Sequence, residues 1–241
     1  MRNIIRALTF ILFIVLLAVG SGCKKKTKDS STVIETGTVI DIDSNIYSTV
    51  KIGDQWWMAE NLNVTKFNDG TSILEIPTTL SDSVWAKNSL PAVCLIDKRY
   101  GRLYNWSAVS DSKKIAPKGW HIPTDEEWKE LEKHIGMTDS EADKLAWRGS
   151  NLAGKLLPLN TVGWPTVSAL YGTNDYGFSA LPGGCRVFDG TINTASNSAF
   201  WWTATQNGAK ANYRYIDYNN TNIYRQFTYK AYGFSIRCVK D

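Results

Sequence analysis

Gly119-Trp120-His121-Ile122-Pro123-Thr124-Asp125-Glu126-Glu127-Trp128 decides how the chain folds, because it closes a strand and opens a helix within one short run. Thr124 suits an N-cap, and Glu127 three residues later completes a capping box. Asp125, Glu126 and Glu127 fill the first turn, where carboxylates meet the positive end of the helix dipole. Pro123 holds the entry extended. Trp128, Leu131 and Ile135 recur at helical spacing and give the helix one apolar stripe to bury. Trp120-His121-Ile122 reads as a short buried strand. The stretch marks a hub of packing.

Outward from this hub the pattern is mostly β. Thr38-Val39-Ile40-Asp41-Ile42-Asp43 alternates apolar and polar residues, Ser44-Asn45 turns, and Ile46-Tyr47-Ser48-Thr49-Val50-Lys51-Ile52 alternates again. Gly53-Asp54 then turns into Gln55-Trp56-Trp57-Met58, completing a β-meander. Asp41 to Asn45 superficially follows a calcium loop, but Ile46 and Ile52 replace the glycine and bidentate glutamate such a loop requires, so it reads as a turn. Residues 71–90 are weakly patterned and read as a loop around Trp85. Residues 100–109 read as a buried strand or the start of a short helix. A second capping box, Thr138 with Glu141, leads a helix over residues 139–148, with Ala142, Leu145 and Ala146 inward and Gly149 as its stop. Residues 199–205, 211–218 and 233–239 read as strands. Two helices inside a β-rich chain give the α+β class, not α/β alternation.

The N-terminal segment reads as an address. Arg2 and Arg6 form a positive head, residues 8–19 an apolar run, and Gly20-Ser21-Gly22-Cys23 a small-residue cleavage site. This resembles a bacterial lipoprotein lipobox, with Gly20 where leucine is usual, and implies lipidation at Cys23. Acyl chains contribute about 0.8 kcal/mol per buried methylene and hold such a protein on a membrane. The expected organisation is a signal peptide at 1–22, a basic polar tether at 23–35 and one domain at 36–241. The expected location is the outer membrane, lipid-anchored, on its periplasmic or cell-surface face.

Charge excludes one partner class. The chain carries 27 basic and 23 acidic residues, a net of +4. Without Arg2, Arg6, Lys24, Lys25, Lys26, Lys28 and Asp29, the body holds 21 basic and 22 acidic residues, a net of −1. It has no electrostatic footprint for nucleic acid, while the tether lysines suit acidic head groups. Ten Trp and eleven Tyr, among many Gly and Asn turns, suit an extracytoplasmic domain. Cys94, Cys185 and Cys238 are odd in number, so at least one thiol stays free within the body.

Several runs appear in a fixed order across nearly the whole body: Val50-Lys51-Ile52-Gly53-Asp54-Gln55-Trp56-Trp57-Met58-Ala59-Glu60-Asn61-Leu62, Gly101-Arg102-Leu103-Tyr104-Asn105-Trp106 and Pro117-Lys118-Gly119-Trp120 through Trp128. Gly177-Phe178-Ser179-Ala180-Leu181-Pro182-Gly183-Gly184, Trp201-Trp202-Thr203-Ala204-Thr205 and Gly233-Phe234-Ser235-Ile236-Arg237-Cys238 complete the set. Together they resemble the Fibrobacter succinogenes major paralogous domain (FISUMP) family, found mainly in lipoproteins of Bacteroidetes and Fibrobacter and without a settled activity. The Gly-Trp-x-x-Pro-Thr-x-x-Glu-Trp run also resembles formylglycine-generating enzymes. That likeness implies a C-type-lectin-like fold, with two helices packed on irregular antiparallel sheets and long loops. Those enzymes use a pair of cysteines near the C-terminal core, whereas Cys238 stands alone. Ala116 sits where many family members carry cysteine, which leaves Cys238 a buried free thiol or a partner of Cys94 or Cys185.

Few residues invite chemistry. His121 has no nucleophile or second ligand in its motif and reads as structural, and His134 lies on the outer side of a helix. Gly177-Phe178-Ser179-Ala180-Leu181 lacks the second glycine of a nucleophile elbow. No Cys/His cluster has zinc spacing, and the Glu-Pro-Asn and Trp-Asn-Asp signatures of calcium-dependent lectins are absent. No catalytic residue, metal or cofactor is expected. Trp201 and Trp202 alternate across a strand, one inward and one outward, and the outer ring is a candidate sugar-stacking platform. Trp202, Tyr213, Tyr215 and Tyr218, with Asn174 and Asp175, form the candidate ligand surface. The expected function is a non-catalytic, membrane-anchored binding or adhesion module for a glycan or envelope protein. The alternatives are an enzyme on a formylglycine-generating-enzyme-like fold without the cysteine pair, and a purely structural envelope protein.

Overall fold

β1 (Thr36–Ile40), β2 (Ile46–Ile52) and β3 (Gln55–Met58) form the meander their alternation predicts. The computed structural model describes residues 33–166, 170–193 and 196–241. The expected signal peptide, Cys23 and the expected tether up to residue 32 lie outside the described residues. Residues 71–90 are more ordered than a loop: they hold β4 (Leu74–Glu75) and α1 (Asp82–Ala86), which buries Trp85. β5 (Ala92–Leu95) precedes β6 (Arg102–Asn105), which runs directly into α2 (Trp106–Val109), so residues 100–109 contain both strand and helix.

The hub follows as β7 (Trp120–His121), half-buried instead of fully buried, and α3 (Asp125–His134). The capping box at Thr124 and Glu127 is present, and Trp128 and Leu131 are buried. A second capping box at Thr138 opens α4 (Asp139–Ala142), which is one turn long. The helix expected over residues 139–148 ends there. Leu145 and Ala146 face solvent, and β8 (Ala146–Arg148) begins with Ala146 at φ +66°. The physical reason is Arg148, which α3 draws inward to Glu132 at 2.9 Å. After α5 (Ala153–Leu156) come β9 (Cys185–Arg186), β10 (Ile192–Asn193), β11 (Ser198–Asn207), β12 (Lys210–Asp217), β13 (Ile223–Tyr229), β14 (Gly233–Phe234) and β15 (Val239–Lys240).

Three sheets result, ordered β1-β2-β3-β15-β7, β10-β9-β14-β6-β5-β4 and β11-β12-β13-β8. The fold is α+β, with sheets dominating and α3 its longest helix among the described residues. No described helix is long and apolar enough to cross a membrane. Residues 233–239, expected as one strand, break in the middle because each part joins a different sheet. Gly233 and Phe234 pair with Asn105 and Tyr104, Ser235 bridges Trp201, and Val239 pairs with Trp57 and His121.

Asn61 anchors this crossing. Its Oδ1 accepts from Trp201 Nε1 at 2.9 Å and Arg237 Nε at 3.0 Å, and its Nδ2 donates to the Tyr100 carbonyl at 2.8 Å. Arg237 is buried and donates to the carbonyls of Phe178 and Ser179. Burial there pushes its guanidinium down to about 9.

One core lies beneath α3, where Trp57, Trp128, Phe178 and Trp201 meet with ring centroids 5.0 to 6.1 Å apart. A second gathers Tyr104, Trp202, Phe234, Cys185 and Cys238, and a small third surrounds Trp85. The three cores and three sheets of the described residues belong to the compact unit Ile34–Asp241. Cys94, Cys185 and Cys238 are all buried, and no disulfide joins them.

A buried ionic cluster ties α3 to the four-stranded sheet. Arg214 meets Asp125 at 2.6 Å and Glu132 at 2.7 Å, and Arg225 meets Asp125 at 2.6 Å. Burial opposes the Asp125 charge, but its bonds to Arg225 and Arg214 outweigh burial and hold the carboxyl well below its usual range. Breaking such a pair leaves a buried charge uncompensated. Glu132→Ala is therefore expected to lower unfolding free energy by about 3–5 kcal/mol, measured by urea denaturation. An exposed control, Glu130→Ala, is expected to stay within about 0.5 kcal/mol.

Candidate functional site

The four-stranded sheet has two unlike faces, and β12 shows why. Arg214 and Ile216 point toward α3 and are buried, while Tyr213, Tyr215 and Asp217 alternate to the opposite face and stay half-buried. The register then places Phe200 opposite Tyr215, Tyr215 opposite Tyr224, and Tyr224 opposite Trp147. One aromatic residue from each of the four strands thus forms a continuous cross-strand row. Cross-strand aromatic pairs each contribute roughly 0.2–1 kcal/mol.

The rings interlock. Phe200 and Tyr215 stack with centroids 4.4 Å apart and planes 10° from parallel. Trp147 lies 5.1 Å from Tyr215 and 4.9 Å from Tyr224, in tilted and edge-on contacts. Trp147 sits on the edge strand β8 and is 36% exposed. Toward β11 the same face passes under the six-stranded sheet: Phe234 covers Phe200 at 5.1 Å, Tyr213 at 5.1 Å and Trp202 at 4.4 Å. The face is covered at one end and open at the other.

A carboxylate flanks the row beside Tyr215. Asp217 accepts from the Tyr215 hydroxyl at 2.5 Å, the Ser198 hydroxyl at 2.9 Å and the Asn219 N–H at 2.9 Å. Burial, joined by this acceptor, raises the Tyr215 hydroxyl above the usual tyrosine range, and burial does the same to Tyr213. Both rings stay neutral donors at any physiological pH.

The candidate surface read from the sequence is redistributed. Trp201 and Trp202 do point to opposite faces of β11, but both faces are covered, and the two rings are 1% and 0% exposed. Trp202 therefore is not the outward platform: Phe234 packs on it, and its Nε1 donates to the Tyr104 carbonyl at 2.8 Å. Tyr213 and Tyr215 lie on the half-open face. Tyr218 packs instead against the core beneath α3, as does Tyr176 from the loop that carries Asn174 and Asp175. Asn174 bonds Ser179 through both side-chain atoms, and Asp175 is exposed. Phe200, Tyr224 and Trp147 join the site unannounced. Tyr224 alternates with Gln226 and Thr228 at period two, the signal that would have found it.

His121 has no free nitrogen for chemistry. Its Nδ1 meets Asp241 Oδ1 and its Nε2 meets Glu127 Oε1, both at 2.7 Å. Ionised carboxylates only accept, so this geometry favours a ring that donates from both nitrogens. Burial works against a charge on that ring, but the bonds to Asp241 and Glu127 prevail and raise the histidine above its ordinary value. Burial would raise Glu127, yet the Thr124 N–H and His121 hold it below its ordinary value. A cavity of about 300 Å³ beside His121 is walled mainly by Val109, Ile115, Ala116, Trp120 and Ile122. No group of three metal-ligating side chains occurs among the described residues.

The clamp has a defined pH signature. The raised histidine contributes stability fully below its unfolded value of 6.5 and loses it as pH rises through the folded value. The depressed glutamate contributes above its unfolded value of 4.5 and loses it as pH falls further. The stability difference between wild type and His121→Gln, read from urea midpoints, is expected to be largest between those two values and to shrink toward alkaline pH. Solvent screening at this half-exposed site limits it to about 1 kcal/mol.

The sequence model of the Fibrobacter succinogenes major domain matches residues 50–240. No curated protein and no solved structure matches the chain.

Proposed function

We propose that this chain, which belongs to the Fibrobacter succinogenes major domain family, is a non-catalytic binding or adhesion module of the bacterial envelope, anchored to the outer membrane through lipid on Cys23. The aromatic row Phe200–Tyr215–Tyr224–Trp147 carries the reading. Tyr and Trp give large, rigid contact area with little entropy to lose, which is why binding surfaces favour them. Phe200 and Tyr215 cover each other's faces, and the neighbouring rings meet them tilted or edge-on. That geometry suits a protein or peptide partner better than a sugar platform. Trp147 favours glycan as the second reading, because it stands exposed on the edge strand.

The absence of chemistry in this proposal has positive support in His121, whose two nitrogens are both engaged by carboxylates. Cys238, which stands alone where formylglycine-generating enzymes use a cysteine pair, is buried, and burial raises its thiol far above its ordinary value. The C-type-lectin-like likeness belongs to the same proposal. Its support is the single long helix beside small sheets and the near-terminal strand β15 set between β3 and β7.

Pull-down from envelope extracts and a glycan array, both with residues 34–241, test the reading. Trp147→Ala is expected to weaken whichever ligand is found by about 2 kcal/mol, near thirtyfold. Its unfolding free energy is expected to fall by about 1–3 kcal/mol, the value of its two aromatic contacts. Retained affinity in Trp147→Ala and Tyr215→Ala together would remove the aromatic row from the function.

A further inference from the structure

The hairpin joining β1 to β2 turns its apolar residues outward. Ile40, Ile42 and Ile46 are 59%, 39% and 64% exposed, and Ile40 and Ile46 are direct cross-strand partners. The tip beneath them is rigid. Asp41, only 7% exposed, accepts the N–H groups of Asp43 and Asn45 on Oδ1, and the Asn45 amide and Tyr47 hydroxyl on Oδ2. Asp43 accepts from the N–H and hydroxyl of Thr65 and pairs with Lys66 at 3.0 Å. Both carboxylates of the turn are thus spent within it. Exposed Lys118 shares a cavity of about 250 Å³ with Ile40 and Ile42. Three clustered isoleucines on a braced turn, flanked by two lysines, are not the scattered apolar residues that every surface carries.

We propose that this hairpin tip docks into the headgroup–acyl boundary of a phospholipid bilayer. The isoleucines enter the apolar layer, and exposed Lys118 faces the lipid phosphates, the arrangement by which interfacial segments bind membranes. The inference rests on the reading of Cys23 as the lipid anchor, and the reach of the chain agrees with it. The run from Cys23 to Val33 spans at most about 35 Å when extended, and β1 is about 17 Å long. A chain tethered at Cys23 therefore has length enough for the tip to meet the plane of its own anchor. A second copy is a poorer occupant, because an isologous contact sets the same patch against itself and opposes like-charged lysines.

The test is co-sedimentation of residues 34–241, which include every core and sheet, with vesicles of phosphatidylcholine mixed with phosphatidylglycerol. Binding is expected, weakening as salt rises because the lysine contribution is screened. The triple change Ile40→Gln, Ile42→Gln and Ile46→Gln is expected to reduce partitioning by at least about tenfold, with an unchanged circular dichroism spectrum because all three side chains are exposed. Lys118→Gln is expected to reduce it by about fivefold. No binding by the wild-type segment overturns the proposal, as does binding that survives the triple change. Sedimentation velocity supplies the other contrary result: an isoleucine-dependent dimer without vesicle binding assigns the patch to a second copy. Palmitate labelling of the full chain with and without Cys23→Ser tests the anchor separately. Vesicle binding without label at Cys23 upholds the docking tip and removes the anchor.

Discussion

The structure depends on how residues 233–240 cross it. Phe234 completes one sheet, Ser235 bridges a second and Val239 enters a third. A segment that changes sheet every few residues cannot satisfy its polar groups by a regular ladder, so a side chain must do so. Asn61 fills that role, bonding Arg237, Trp201 and Tyr100 from three different parts of the chain. Arg237 has no carboxylate among its hydrogen-bond partners and is held by carbonyl oxygens and by the ring of Phe178 at 4.2 Å. Losing any member leaves buried donors or acceptors without partners, at about 1–3 kcal/mol each.

The aromatic face is a by-product of the same crossing. Phe234 enters beside β11 and seals Trp202, but its strand is only two residues long and covers only one end of the sheet. Beyond it the row continues uncovered to Trp147. Opposite faces of one sheet therefore serve different ends. The inner face is locked to α3 by buried arginines, which hold it flat and fixed, and the outer face borrows that rigidity to present its rings.

Local signals in the sequence were sufficient for local structure. Thr124 with Glu127 and Thr138 with Glu141 make capping boxes because both partners lie within one turn. The meander was legible because its turns and alternation are consecutive. What a sequence does not display is competition from afar. Residues 143–148 carry a helical pattern, but Arg148 is worth more to Glu132 and to β13 than to a continued helix. Trp202 alternates outward as expected, and only the distant Phe234 decides that outward is not exposed. Trp147 was hidden for the same reason as the lost helix, since a residue assigned to a helix is not sought at a sheet edge.

The placement of β15 has a consequence for how the molecule is made. β3 and β7 become neighbours only through a strand that comes at the far end of the sequence from them, and Met58 waits for the Cys238 carbonyl to accept its N–H. Such distant pairings close slowly, because the loop entropy is spent before the contact rewards it. The early meander must therefore persist as a half-finished sheet with an open edge until the last elements arrive. Until then the chain needs protection from its neighbours.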